Sequence, residues 1–288
     1  MQYLTPSSFS DATALAARAD GITRFLAGGT DVLVQLRAGL TTPDTLIDLK
    51  HIPGVYDITR EEDGGWTIGI AVPGAVMREH AALGRDWPGL VEAVDLIGST
   101  QVQGRATMVG NLCNASPAAD GVPAMIAAGV SVTVTGPDGT QRRVAAEDIA
   151  TGPGRTSLAA GEIVSAVHVP ARGDNAADAY QRFIPRTEMD IAVVGCGINL
   201  RLEGDRISEA RVALGAVAPT ALLVADAADA IIGTTLDDAA LAALSAAATA
   251  ACDPIDDKRG TIEFRKHVAG VLARRVAQQA YHRAGGNP

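Results

Sequence analysis

The chain has 288 residues, 47% of them hydrophobic and 20% charged, an ordinary composition for a globular protein and too long for one hydrophobic core, so two domains are expected. A formal net charge of −9 argues against a nucleic-acid surface, which needs a basic stripe to meet phosphates. No apolar run approaches membrane-spanning length, and M-Q-Y-L-T-P-S-S-F at the start lacks a basic region followed by an apolar core; a cytoplasmic protein without a membrane span is expected.

In chain order, hydrophobic periodicity and turn chemistry predict alternating elements in the first half. Strands are expected at Arg24–Leu26, Leu46–Leu49, Tyr56–Ile58, Trp66–Ile70, Val130–Thr135 and Ile163–Val169. Helices are expected at Asp11–Ala19, Asp31–Ala38, Gly74–Ala82, Gly89–Leu96 and Pro117–Ala128. Gly136-Pro137-Asp138-Gly139 is a strong turn leading into a further short strand. This alternation reads as α/β. The stretch Ala171–Ala177, A-R-G-D-N-A-A, is small, polar and without periodicity, and divides the chain into domains at 1–175 and 177–285. Beyond it come strands at Ala179–Phe183, Ile191–Leu202 and Ile207–Ala216, with a turn at Glu203-Gly204-Asp205, then helices at Ala225–Ile232, Leu236–Ala251 and Thr261–Arg283. Strands followed by helices make the whole α+β. With only two Trp, four Tyr and four Phe, the core must be largely aliphatic.

Residues that often carry chemistry are sparse. Cys113, Cys196 and Cys252 are far apart and odd in number, which supports neither a disulfide framework nor a zinc or iron–sulfur site. His51, His80, His168, His267 and His282 have no ligand spacing, and the H-E-x-x-H, P-loop, G-x-S-x-G and G-x-G-x-x-G signatures are absent. Arg259, Arg265, Lys266, Arg274, Arg275 and Arg283 make the last helix basic, either as a solvated face or as a surface for an acidic partner.

Two loops stand out. L-A-G-G-T-D-V-L (Leu26–Leu33) follows an apolar run and opens onto a helix-like segment. Small residues there let backbone N–H groups approach an anion, as in a phosphate cradle, with Thr30 or Asp31 placed to cap the helix. T-M-V-G-N-L-C-N-A-S-P-A-A-D (Thr107–Asp120) is small and polar, suited to close backbone contact with a flat, multiply hydrogen-bonding cofactor. Pro117 suits the first position of a helix after Ser116.

Together these loops resemble the flavin subunit of the xanthine dehydrogenase and carbon monoxide dehydrogenase family of molybdenum hydroxylases. The resemblance extends to G-P-G-R-T-S-L-A-A-G-E-I-V (Gly152–Val164), Y-Q-R-F-I-P-R-T-E-M-D-I-A (Tyr180–Ala192) and D-D-K-R-G-T-I-E-F-R-K-H (Asp256–His267). It implies a two-lobed α/β FAD-binding domain followed by a small antiparallel sheet backed by helices. It also implies one non-covalent FAD held by Leu26, Ala27, Gly28, Gly29, Thr30, Asp31, Val32 and Leu33 in the first loop, and by Thr107, Met108, Val109, Gly110, Asn111, Ser116 and Asp120 in the second. Val164 takes the place of an apolar contact and Arg182 that of a basic one, with Arg186 and Asp190 flanking. One Gly of the family's pair in the second loop is Val109 here, whose Cβ narrows backbone approach.

The functional role implied is an electron outlet. A molybdopterin-binding large subunit hydroxylates the substrate, an iron–sulfur small subunit relays electrons, and this FAD passes them to NAD or another acceptor, in a complex expected to be a dimer of heterotrimers. Molybdopterin and iron–sulfur clusters belong to those partners, and no catalytic residue or metal ligand is assigned to this chain. Two other readings are a stand-alone FAD-dependent oxidase of related fold and an assembly subunit without flavin.

Overall fold

The computed structural model describes residues 1–187 and 189–286, so Glu188, inside the Tyr180–Ala192 segment, lies outside the described residues. The chain opens with β1 (Gln2–Leu4), α1 (Phe9–Arg18), β2 (Thr23–Leu26), α2 (Val32–Arg37) and β3 (Thr45–Asp48). The three strands form a parallel sheet in the order β1-β3-β2, which leaves β2 on an edge. α1 starts two residues before its expected Asp11 because Ser8 Oγ caps it, accepting from Asp11 N at 3.1 Å.

The second lobe runs through β4 (Ile58–Arg60), β5 (Trp66–Ile68), α3 (Gly74–Glu79), α4 (Ala81–Asp86), α5 (Pro88–Val94), α6 (Thr100–Gln103), α7 (Met108–Cys113) and α8 (Gly121–Ala127). It closes with β6 (Ser131–Thr135), β7 (Gln141–Ala145), the hairpin β8 (Ala150–Gly152) and β9 (Arg155–Thr156), and β10 (Ile163–Val169). Its main sheet has the order β4-β5-β10-β6-β7, and every pairing is antiparallel. The alternation of elements therefore produces a parallel sheet in the first lobe only.

Several boundaries differ from the sequence reading. The helix expected over Gly74–Ala82 breaks at His80, which ends α3 and caps α4 by accepting from Leu83 N at 3.1 Å through Nδ1. The strand expected at Tyr56–Ile58 begins at Ile58. Pro117 does not start a helix: 117–120 form a turn closed by Ala119 N donating to Ser116 O at 3.0 Å, and α8 begins at Gly121.

The C-terminal part is an antiparallel meander, β11 (Ala176–Phe183), β12 (Val194–Glu203), β13 (Arg206–Gly215) and β14 (Leu222–Leu223), in chain order. The strand expected from Ile191 starts at Val194, and the Glu203-Gly204-Asp205 turn joins β12 to β13. α9 (Ala225–Asp229), α10 (Asp238–Ala250) and α11 (Ile262–Arg283) cover one face. The fold is thus α+β, with helices and small sheets in both halves. Val268, Leu272, Val276 and Ala280 recur at helical spacing and form the buried stripe of α11. Buried apolar side chains fall into two clusters, one beneath the two N-terminal lobes and one between the last sheet and its helices.

The basic helix is only partly solvated, which corrects the simpler of its two readings. Arg265 is 4% exposed, and its guanidinium donates to Val193 O at 2.8 Å and pairs with Asp257 at 2.7 Å. Arg283 reaches across to Glu92 on α5 and donates to Asp178 O. Arg274 and Arg275 are exposed. Among the described residues, no helix is long and apolar enough to cross a membrane.

Candidate cofactor-binding cleft

Between the two N-terminal lobes lies a cleft of about 500 Å³, within the ~300–1,000 Å³ typical of small-molecule sites. One wall is the loop after β2, residues 27–32, continuing to Gln35 on α2; the facing wall is Ala106–Thr107 and the inner face of α7. The β8–β9 hairpin and the start of β10 close a third side, and Leu49, Ile70 and Ile97 line the apolar base.

The first loop is held open by glycine. A Cβ on Gly28 would lie 2.0 Å from Arg105 O, and Gly29 has φ +81°, the left-handed region that side chains with a Cβ resist. Asp31 occupies the N-cap position of α2 but its side chain makes no capping bond, so the expected cap is not formed. Among the described residues, the N–H groups of Gly29, Thr30, Asp31 and Val32 find no backbone acceptor. These are orphan donors beside a cleft, an arrangement that suits an anionic ligand. Asp31 stands at the exposed rim, yet its neighbours desolvate the carboxyl and raise its pKa above the usual carboxylate range.

The second loop is half helix. Thr107 Oγ1 accepts from Gly110 N at 2.9 Å and caps α7, a helix within what the residues suggest is a loop. Met108 and Leu112 anchor α7 in the core, while Val109, Gly110, Asn111 and Cys113 face the cleft. Val109 is itself 7% exposed and packs in the larger core, so its side chain is mostly turned into that core. Asn111 Oδ1 accepts from Gly121 N at 2.9 Å, fixing α7 against the start of α8. α2 meets the second loop where Gln35 Nε2 donates to Asn114 Oδ1 at 3.4 Å. Gly154 N donates to Ala115 O at 2.9 Å and ties the β8–β9 hairpin to the same wall.

Of the residues singled out in the sequence, Ala27, Gly28, Gly29, Thr30, Asp31, Val32, Thr107, Val109, Gly110, Asn111 and Val164 line this cleft. Leu26 and Met108 lie beneath it in the core, and Leu33 is exposed on α2. Ser116 Oγ accepts from Ala118 N at 3.3 Å within the 117–120 turn. Asp120 and Arg182 bind each other: Arg182 Nη1 donates to Asp120 Oδ2 at 2.6 Å, with both side chains largely buried, and Tyr180 OH donates to Asp120 Oδ1 at 3.5 Å. That pair joins α8 to β11 and sits outside the cleft lining. Burial raises the Asp120 pKa to about 6, against the opposing pull of the Arg182 charge. Arg186 and Arg259 both pair with Asp190, at 3.1 and 3.2 Å.

Sequence reasoning did not assign Arg24, Gln35, Asn114, Gly154, Thr156, Leu158 or Glu162 to the site, yet all line the cleft. The Gly152–Val164 motif held a signal for four of them. Cys113 also faces it, with its thiol pushed up to about 12 by burial, which leaves no thiolate for covalent chemistry near neutrality.

Residues 1–172 match the family described as the FAD-binding domain in molybdopterin dehydrogenase, and residues 178–280 match the CO dehydrogenase flavoprotein C-terminal domain. The chain belongs to the FAD-binding medium-subunit family of molybdenum hydroxylases. It is 33% identical to the carbon monoxide dehydrogenase medium chain of Afipia carboxidovorans over 98% of this chain and 97% of that one. It is 31% identical to a putative xanthine dehydrogenase FAD-binding subunit of Escherichia coli, over 91% and 90% of the two chains. Its structure superposes on a chain of reconstituted CO dehydrogenase from Oligotropha carboxidovorans with a TM-score of 0.94 at 31% identity, covering 98% of both. A chain of quinoline 2-oxidoreductase from Pseudomonas putida gives a TM-score of 0.90 at 26% identity, over 99% and 98%. The cofactor of this medium subunit is FAD, and the residues fit it: the Gly28–Gly29 cradle excludes a Cβ, and the amides of residues 29–32, beside the cleft, are free to meet an anion.

Proposed function

We propose that this medium subunit is the electron outlet of its complex. It takes electrons from an iron–sulfur subunit, after a molybdopterin subunit has oxidised the substrate, and delivers them to NAD or another acceptor. The observation that carries this reading is the cleft itself, where two loops that lie far apart in the chain converge on one groove with free backbone amides. Bound FAD supplies the redox chemistry, and the chain supplies position. On this reading the Gly28–Val32 backbone holds the diphosphate, while Thr107, Gly110 and Asn111 orient the rest of the cofactor. Val109, Ile163 and Val164 keep water from one side. Among the described residues no three His, Cys, Asp or Glu side chains are grouped to hold a metal, and the cleft presents no nucleophile–base pair.

The partners are proposed from the same family likeness: a molybdopterin-binding large subunit and an iron–sulfur small subunit, assembled as a dimer of heterotrimers. The division into domains at 1–175 and 177–285 belongs to the same proposal and is supported by the two hydrophobic cores. Family membership favours this reading over a stand-alone oxidase or a flavin-free assembly subunit. The test is to purify the full chain alone and with co-expressed partner subunits. About one FAD per chain, released by acid, and hydroxylase turnover only in the assembled complex are expected. Robust oxidation of a purine or aldehyde by the chain alone would overturn the proposal.

A further inference from the structure

FAD carries its ionised charge on one part, the diphosphate; the flavin, ribityl and adenosine portions are neutral near pH 7. The cleft meets that charge with backbone amides, but its side chains lean the wrong way. Asp31 and Glu162 both line it. Glu162 is neutralised by Arg142 at 2.7 Å, a contact that also holds its carboxyl below the usual range, whereas Asp31 forms no ion pair among the described residues. Among the described residues, Arg24 is the one basic side chain lining the cleft. It is exposed on the edge strand β2 and takes part in none of the ion pairs of the described residues.

Its place in the chain is also suggestive. Arg24 precedes the Gly28 cradle by four residues of nearly extended chain, a separation of at most about 13 Å at ~3.3 Å per residue. Both line the same cleft, and the Arg24 side chain is long, flexible and free of ion pairs among the described residues. Guanidinium is also the side chain best matched to phosphate oxygens, through paired N–H donors in one plane. Leaving such a group unpaired at the mouth of an anion site costs little while it is solvated, and the pairing forms when the anion arrives.

We propose that Arg24 is the counter-charge to the FAD diphosphate, reaching it from β2 across the open side of the Gly28–Val32 cradle. The inference rests on the reading of this cleft as the FAD site. It adds a side-chain cation to a cradle otherwise built from backbone, and makes cofactor retention dependent on salt.

The experiment uses flavin-free full-length chain and follows quenching of flavin fluorescence with FAD and with riboflavin, which has no phosphate. Wild type, Arg24→Gln and Arg24→Lys are titrated at low and at high sodium chloride. Arg24→Gln is expected to raise the Kd for FAD roughly two- to fivefold at low salt, the scale of a solvent-exposed charge contact. That difference should shrink at high salt as the pair is screened. Arg24→Lys, which keeps the charge but loses the paired donors, should fall between Arg24→Gln and wild type, and riboflavin should bind both variants as it binds wild type. Equal FAD affinity for Arg24→Gln and wild type at low salt would overturn the proposal. So would an equal loss for riboflavin, since Arg24 would then act through packing. A wild-type chain that melts cooperatively but takes up no FAD would instead overturn the cofactor reading of the cleft, and Arg24 with it.

Discussion

Gly28 and Arg105, 77 residues apart, hold the two halves of the cleft together through a pair of contacts. Arg105 Nε donates to Gly28 O at 3.1 Å, and Arg105 O occupies the space that a Cβ on residue 28 would need, 2.0 Å away. Because the obstruction is backbone rather than a flexible side chain, Gly28→Ala has to push the two loops apart. The expected outcome is loss of FAD on gel filtration with a stability cost of about 1–3 kcal/mol, the range for overpacking a tight site. The second core, built around α11 and the last sheet, should stay folded by near-UV circular dichroism. A variant that keeps stoichiometric FAD would show that the loops do not have to meet this closely.

Gly29 makes a different demand. Its φ of +81° is a conformational requirement, and a Cβ there would also crowd Leu26 and Leu33, at 2.8 and 3.1 Å. Gly29→Ala is expected to weaken FAD binding and to cost about 1–2 kcal/mol for the left-handed backbone, with Gly29→Val worse because of its branched Cβ. Calorimetric FAD titration of both variants checks the order. Equal affinities for wild type and Gly29→Val would remove the first loop from the diphosphate site.

The buried Asp120–Arg182 pair makes stability depend on pH. Burial pushes the Asp120 pKa up to about 6 in the folded chain, against the ordinary carboxylate value of about 4 in the unfolded one, so between those values the folded chain binds more protons than the unfolded chain. Stability therefore falls as pH rises from about 4 to 6, and the contribution levels off above. Asp120→Asn should flatten that segment of the melting-temperature profile. Arg182→Met at pH 7 leaves a buried carboxylate without its partner and should cost about 3–5 kcal/mol. An Asp120→Asn profile with the wild-type slope would show that another group titrates there. FAD affinity measured on the same variants separates an inter-element brace from a direct cofactor contact: the brace loses stability far more than affinity.

Burial keeps the thiols of Cys113 and Cys252 protonated, at about 12 and 11, and pushes Cys196 higher still. Iodoacetamide at pH 8 should leave all three unmodified in the native chain and alkylate them after unfolding, as read by intact mass. Rapid native labelling of Cys113 would mean that the cleft wall opens more than its packing implies.

What could be read directly from residue order was local chemistry. The strand, glycine pair and helix start of Leu26–Leu33 are legible because positive φ and close backbone approach demand Gly within a few residues, and the same holds for the turn at 203–205. α7 escaped because M-V-G-N-L-C is too short for helical periodicity to register. It exists because Thr107 caps it and Met108 and Leu112 find a core to enter. The antiparallel pairing of the second sheet also escaped, since strand direction is set by partners such as β10 and β5, about a hundred residues apart.

Long-range contacts decided the rest. The family resemblance pointed to both Asp120 and Arg182, but only the packing of α8 against β11 turns them toward each other and out of the cleft lining. Residue order places Arg24 only at the start of a strand; the facing lobe makes it part of a cleft wall. The β8–β9 hairpin became the third wall because Gly154 N meets Ala115 O, a bond between segments that no sequence window contains. Backbone conformation is governed by neighbours a few residues away, so a motif announces it. Proximity across a cleft is governed by how whole lobes pack, and that appears only once the chain has folded.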